Sequence, residues 1–293
     1  MTSLDHQETA LELVEAAGPA PFETRRVYRR PDGSVFVWES RDHRKHLSAA
    51  RRARRAKLRV LFRRSVWNPG HLNWWIGIVF ALGSALFMLG SLLILVPELA
   101  ERWSVSETGI NAVFFIGSIP FTTAAYLQLF QAANAGHFGS GGRTAPGRTV
   151  RFGWRPHDIG WLSCALQFAG TVLFNFNTFD AMLPHLTWLE QDLAIWVPNM
   201  AGSILFIASA HLAIVETGHS YMPWRPQSLS WWVTLANYLG CIGFMISAIY
   251  AVALPAPAAF DAVTISVLFT LIGAAGSLIG SLLMLTETAI AGE

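Results

Sequence analysis

Hydrophobic positions along the chain gather into six long blocks, at roughly residues 72 to 96, 109 to 131, 158 to 178, 194 to 215, 230 to 250 and 263 to 285. Each is about 20 residues long, the length at which a helix crosses the hydrocarbon core of a bilayer. None shows the strict alternation of a barrel strand. The pattern predicts an all-α membrane protein with six transmembrane helices. The first block follows a long, mostly polar stretch and is too long for a signal-peptide core, so it is expected to persist as a helix.

The polar stretch has structure of its own. Residues 7 to 17 form a short acidic amphipathic segment, and residues 24 to 40 alternate as a β-hairpin. Val27 and Tyr28 precede the turn Pro31-Asp32-Gly33, and Val35 to Trp38 follow it. From Arg41 to Arg64 the chain carries eleven cations and one acid, with Leu47, Leu58, Val60, Leu61 and Phe62 interspersed. Such a run reads as a basic amphipathic helix held to anionic headgroups at about 1 kcal/mol per cation. The lipid-binding candidates are Arg51, Arg52, Arg54, Arg55, Lys57, Arg59, Arg63 and Arg64. Their place beside the first span favours membrane lipid over nucleic acid as the partner.

Composition agrees with the spans: 53% of the 293 residues are hydrophobic and 14% are charged, whereas soluble domains carry about 25% charged residues. Cys164 and Cys241 both lie in apolar runs, which excludes a disulfide-built scaffold and a cysteine metal cluster. The near-neutral net charge hides an asymmetry that sets orientation. Fifteen of the 21 Lys and Arg residues precede residue 71; Arg143, Arg148, Arg151, Arg155 and Arg225 fall in loops on the same side, and Arg102 alone lies opposite. The positive-inside rule then places both termini in the cytoplasm, in a bacterial inner (plasma) membrane.

A pattern WxPx(4)Wx(8)Gx(3)F occurs three times. Trp67, Pro69, Trp74, Gly83 and Phe87 recur as Trp154, Pro156, Trp161, Gly170 and Phe174, and again as Trp224, Pro226, Trp231, Gly240 and Phe244. Each copy is followed by a Gly-Ser pair: Gly117-Ser118, Gly202-Ser203 and Gly276-Ser277. The expected organisation is a basic cytoplasmic arm (1 to 70), a first helix hairpin (71 to 131), a flexible loop (132 to 153), and second and third hairpins (154 to 216 and 217 to 293). The arm is expected to hold the short hairpin and the amphipathic helix. The paired tryptophans Trp67/Trp74, Trp154/Trp161 and Trp224/Trp231 are expected as interface anchors with their N–H groups in water. The glycines mark close helix contacts. Ser104 with Glu107 and Thr187 with Glu190 fit capping boxes, and Asp261 is a further cap. Pro120 and Pro198 should bend their helices.

Polar groups within spans are the candidate chemistry. Gln128 and Glu287 stand ten residues past the marker serine of their repeats, and Gln131 and Glu216 thirteen past it. With His211 they are candidates for a polar vestibule at the cytoplasmic mouth, although side chains so near helix ends also snorkel to headgroups. His71, His137, His157 and His219 are candidate metal ligands at the cytoplasmic edge, in no spacing that enforces a site. The chain has no HExxH, CxxC, Walker loop or GxSxG elbow, so no catalytic residue is assigned and no cofactor is called for.

The helix pair built around Leu82-Gly83-Ser84-Ala85-Leu86-Phe87 and Phe115-Ile116-Gly117-Ser118-Ile119-Pro120 makes Trp74 to Gln131 resemble the YrhK-like domain family of small two-helix membrane modules. Residues 230 to 287 look like another copy. That family has no assigned activity to carry over. Three hairpins with both ends on one side are also similar to mitochondrial carriers, but the PxDxxK-like motifs of their odd helices are missing here, so the likeness extends only to a threefold bundle. Three functions fit these readings. The first is a scaffold bundle that binds anionic lipid, a protein partner or a second copy of itself. The second is a channel or transporter for a small solute or cation with a polar cytoplasmic vestibule, and the third is a membrane redox or metal-binding protein.

Overall fold

The computed structural model describes residues 12–45, 47, 58–135, 149–183, 186–253 and 261–291. The arm begins with three antiparallel strands, β1 (Glu12–Ala17), β2 (Arg25–Arg29) and β3 (Val35–Glu39), in the order β1-β2-β3. The turn between β2 and β3 closes where Arg30 N–H donates to the Ser34 carbonyl at 2.8 Å, with Gly33 at φ +79°. The acidic stretch thus contributes an outer strand, whose Glu12 and Glu15 pair across to Arg29 and Arg25. Opposite charges across a strand pair fit an edge that remains in water.

Two short helices follow, α1 (Ser40–Lys45) and α2 (Leu58–Val66). The cationic run is therefore not one lipid-facing helix. Its first turn and a half is folded inward, and Arg41, Arg44 and Lys45 are buried.

Six helices are long and apolar enough to cross a membrane, and the architecture is that of an integral membrane protein. They are α3 (Leu72–Leu95), α5 (Glu107–Ala133), α6 (Ile159–Asp180), a long helix over Trp188–Gly218, α9 (Leu229–Tyr250) and α10 (Ala262–Ala291). A short helix α4 (Pro97–Arg102) links α3 to α5. The fourth span begins as α7 (Trp188–Gln191), widens into one π-helical turn at Asp192–Trp196 and continues as α8 (Val197–Gly218). Pro198 lies at the start of α8, just past the π turn, where its missing donor is tolerated. Pro120 lies within α5.

Each spanning helix packs on its neighbours in sequence, and α10 closes on α3. The result is a ring of six helices around an axis. Glycine pairs set the closest approaches. A Cβ on Gly83 would stand 3.0 Å from the Gly117 carbonyl oxygen, one on Gly170 3.1 Å from that of Gly202, and one on Gly276 2.9 Å from the Gly240 Cα. Backbones that close leave room for no side chain, and the contact gains dispersion energy that lipid tails cannot match. Phe87 and Phe174 lie against Gly117 and Gly202, and Phe244 against Gly273. With Phe206 and Ala274 these three rings form one buried cluster in the middle of the bundle.

The paired tryptophans divide their roles. Trp67, Trp154 and Trp224 are exposed, whereas Trp74, Trp161 and Trp231 are buried. The buried indoles donate to the carbonyls of Ser65 (3.0 Å), Phe152 (2.9 Å) and Pro223 (3.1 Å). Each exposed ring meets its buried mate edge-on at 5.7, 5.4 and 5.1 Å. The expectation that both N–H groups of a pair sit in water is thus corrected for the second of each pair. The approaching chain folds back over it and supplies an acceptor, which a buried N–H requires.

Caps follow local chemistry with one shift of register. Thr187 and Glu190 form the full capping box, and Asp261 accepts from the Thr264 N–H at 2.9 Å. On α5 the cap is Ser106, which accepts from Gly109 N–H, rather than the expected Ser104. Ser104 instead takes a left-handed conformation, φ +52°, in the turn after α4.

Gly202→Leu is expected to force α6 and α8 apart, because its side chain would enter the space held by the Phe174 ring and the Gly170 carbonyl. Overpacking of this kind costs about 1–3 kcal/mol. Thermal unfolding in detergent should show a lowered transition, while Ile204→Leu, at an exposed position on the same helix, should leave it in place.

Candidate functional site

The arm-side mouth of the ring is closed by α1. Two features put it there. Ser40 N–H donates to the Thr24 carbonyl at 2.9 Å, which ties the start of α1 to the sheet. The sheet is in turn held to the connection between α8 and α9, where Tyr221 donates to the Ala20 carbonyl at 2.6 Å and His219 Nδ1 lies 2.9 Å from Thr24 Oγ1. A helix started at this place presents residues 41, 44 and 45 on one face, following the spacing i, i+3, i+4.

That face meets three sets of polar groups, one from each helix hairpin. In α10, Glu287 receives both guanidinium nitrogens of Arg41, at 2.5 and 3.1 Å, and the Ser230 hydroxyl at 2.5 Å. In α8, Glu216 receives Arg44 Nη2 at 2.7 Å and the Ser40 hydroxyl at 2.6 Å. In α5, Gln131 donates to Asn73 Oδ1 at 3.1 Å, and Asn73 donates to the Lys45 carbonyl at 2.7 Å. Lys45 Nζ stands 3.7 Å from Glu287 and 3.3 Å from the Met284 sulfur. Glu216 is 0% exposed and Gln131 2%. Neither snorkels to a headgroup; their partners on the arm and on Asn73 hold them inside.

Gly160 is the residue of α6 that makes room for this arrangement. A Cβ there would stand 2.5 Å from Arg44 Nε and 2.6 Å from Glu216 Oε1. The corresponding first-turn positions, one before the second tryptophan of each repeat, are Asn73 on α3 and Ser230 on α9. Both take part in the network.

Beneath α1 lies a cavity of about 90 Å³ that side chains from all six spanning helices line. Arg41, Arg44 and Lys45 form its roof, and Gln128 lies on its wall, one turn deeper than Gln131. Phe121, Phe206 and Phe244 line its floor and also border a gap of about 10 Å³ among the mid-bundle rings. Past Phe87, Phe174 and Phe244 the far mouth holds a wider cavity of about 710 Å³. Cavities and rings therefore alternate along the axis, with a charged seal at one end and an aromatic one in the middle.

The remaining candidates are dispersed. His211 is half-buried on α8 with its ring 6.2 Å from that of Tyr238, and it does not line the cavity under α1. His71 and His157 are exposed, and His219 serves the contact to Thr24. His137 lies outside the described residues, as do Arg51, Arg52, Arg54, Arg55 and Lys57. Arg59 belongs to α2, and on that helix Arg63 is exposed and Arg64 half-buried. Among the described residues no three His, Cys, Asp or Glu side chains gather as metal ligands. Sequence reasoning missed Ser40, Arg41, Arg44, Lys45, Asn73, Gly160 and Ser230. The available signal was two span carboxylates without a span cation, beside an arm with cations at helical spacing.

Burial works against the charge on Arg44, but Glu216 beside it prevails and raises its pKa above the ordinary arginine value. For Lys45 the balance is opposite. Burial and the adjacent Arg41 outweigh Glu287 and bring it from 10.5 down to about 7. Between those values the released arm holds a proton that the docked arm lacks, so docking strengthens as pH rises through that window and levels off below it. Protease protection of the arm in the full chain, measured across this window, is expected to increase with pH; a decrease would contradict the docked geometry.

Glu216→Ala leaves Arg44 buried without its carboxylate, which costs about 3–5 kcal/mol. Hydrogen exchange over residues 40 to 45 should rise sharply. Replacing both Arg44 and Glu216 by Met should restore much of the protection, because an apolar pair of similar volume carries no desolvation cost.

Comparison of the chain with protein-family models, curated proteins and solved structures finds no match to any of them.

Proposed function

We propose that the protein is a membrane conduit for a small polar solute or ion, built from three two-helix repeats and closed at its cytoplasmic mouth by its own N-terminal arm. The observation that carries this reading is the closed ring of six helices around an axial cavity whose roof is three arm cations. A scaffold needs no polar cavity on its axis. Ionic closure also fits a removable seal better than a permanent one. Burying charge pairs is roughly neutral or worse for stability when compared with apolar packing, and the gain is in register or switching.

The scaffold alternative rested on the eight cations between Arg51 and Arg64, and those are not the ones that close the mouth. Arg41, Arg44 and Lys45 are engaged inside the bundle instead, which leaves lipid attraction to the cations nearer α2. The reading retains a cytoplasmic arm and an inner bacterial membrane, from the distribution of Lys and Arg, and kinship with YrhK-like modules, from the helix pair at residues 74 to 131.

Arm release is the test. In liposomes holding the full chain, Glu216→Ala together with Glu287→Ala is expected to raise passive flux of small ions or polar solutes at least tenfold over the parent, and Phe244→Ala in that background to raise it further. Flux equal to empty liposomes in every variant would end the conduit reading, whatever the arm does.

A further inference from the structure

Among the described residues, the fully buried charges under the arm do not balance. Arg41, Arg44 and Lys45 meet two buried carboxylates, Glu216 and Glu287. Asp158 also acts on Arg44, but it is half-exposed and its Oδ1 caps the first turn of α6. A lone excess cation in low dielectric is costly unless a counter-charge joins it or it sheds its proton. The cavity below is on the cation side of the network: all three cations line it, and neither Glu216 nor Glu287 does. It has space for one small ion with a few waters.

The walls add donors. Most hydroxyls there are already committed, such as Ser163 and Ser209, which donate to each other's carbonyls at 2.9 and 2.7 Å. Gln128 and Gln167 line the cavity, and among the described residues neither amide has a hydrogen-bond partner. Two uncommitted amides and an ammonium whose nearest carboxylate is 3.7 Å away form a pocket suited to a weakly hydrated monovalent anion.

We infer that the cavity beneath α1 binds a single small monovalent anion, of the size of chloride or nitrate, between Lys45 and the amides of Gln128 and Gln167. The anion supplies the missing counter-charge and strengthens the closed state. Lys45 faces Arg41 and Arg44 on its own helix, Glu287 on α10 and Cys164 on α6. The anion is held by the protonated ammonium, so its affinity falls as pH rises above about 7. The site does not depend on the conduit reading; a sealed scaffold with the same cavity would hold the same ion.

The experiment is thermal unfolding of the full chain in detergent at pH 6, with sodium chloride or nitrate exchanged for sodium gluconate at constant ionic strength. Expected is a saturable rise in Tm with chloride or nitrate, shifted at least tenfold to higher concentration in Gln128→Leu and lost in Lys45→Met. Should Lys45→Met fail to fold, Gln128→Leu with Gln167→Leu, which leave both ion pairs intact, decide the matter. Equal Tm in chloride and gluconate, or full retention of the shift in the amide variants, would overturn the site. Flux assays on the same samples keep the two ideas apart: saturable binding without flux retains the anion and removes the conduit.

Discussion

Five charged side chains buried at one end of the bundle constrain everything around them. An ion taken out of water costs several kcal/mol even after relaxation, and here the cost is met only when arm and bundle are together. Glu216 and Glu287 lie on helices whose ends would otherwise present bare carboxylates to a ring interior. The arm cations are equally dependent on the bundle. Ser40 and Ser230 fill further acceptor sites on the two carboxylates, so both carboxylates are well paired, while among the described residues Arg44 Nε and Gln131 Oε1 are buried without a partner. Arg41 and Arg44 reach different helices from positions one turn apart. Sliding α1 by a single residue would orphan both pairs at once, which makes the charge pattern a lock on register more than a source of stability.

The rest of the bundle is shaped so that this lock has something to close. Glycine pairs draw the two helices of each hairpin together on their shared face, and the phenylalanines that sit over those glycines point toward the axis and meet one another. Phe87 to Phe244 and Phe174 to Phe244 are edge-on contacts at 6.2 and 6.0 Å. The same short list of residues therefore thins the helix contacts and fills the middle of the ring. The larger spaces lie above and below the rings, where side chains turn to serine, threonine, asparagine and glutamine.

Much of this was legible in the sequence, to different depths. The six spans follow from apolar length and the lack of barrel alternation, because only helices and closed barrels satisfy their backbone in hydrocarbon. Gln131, Glu216 and Glu287 stood out by register against the Gly-Ser markers. Their partners did not, because an ion pair between residues 41 and 287 leaves no local trace in either segment. The α1 cations were hidden in a longer basic run whose composition is that of a headgroup-binding helix, and composition cannot show that Arg41, Arg44 and Lys45 face inward. Burial of the second tryptophan in each pair was invisible for a similar reason: a proline-bearing loop that folds back over an indole looks, in sequence, like one that leads it to the interface. Local signals were read more securely, as with the Thr187 cap, and even the misplaced cap on α5 moved by only two residues.

The two seals differ in what can act on them. Aromatic rings in the bundle middle respond to packing, so only helix movement opens a path between Phe87, Phe174 and Phe244. The arm seal responds to charge, yet bulk salt screens buried pairs little, and ionic strength alone is a poor key. Groups that change the charge count inside the site act directly: a proton on Lys45, a counter-ion beneath it, or a competitor for Glu216 and Glu287 approaching from outside. A cleft of about 430 Å³ bordered by Arg41, Glu216, His219 and Ser230 reaches the edge of the network beside the sheet, with Glu216 itself fully buried behind it. The electrostatic end of the axis thus responds to charge and the aromatic middle to packing, so a change in charge acts on the axis through the arm.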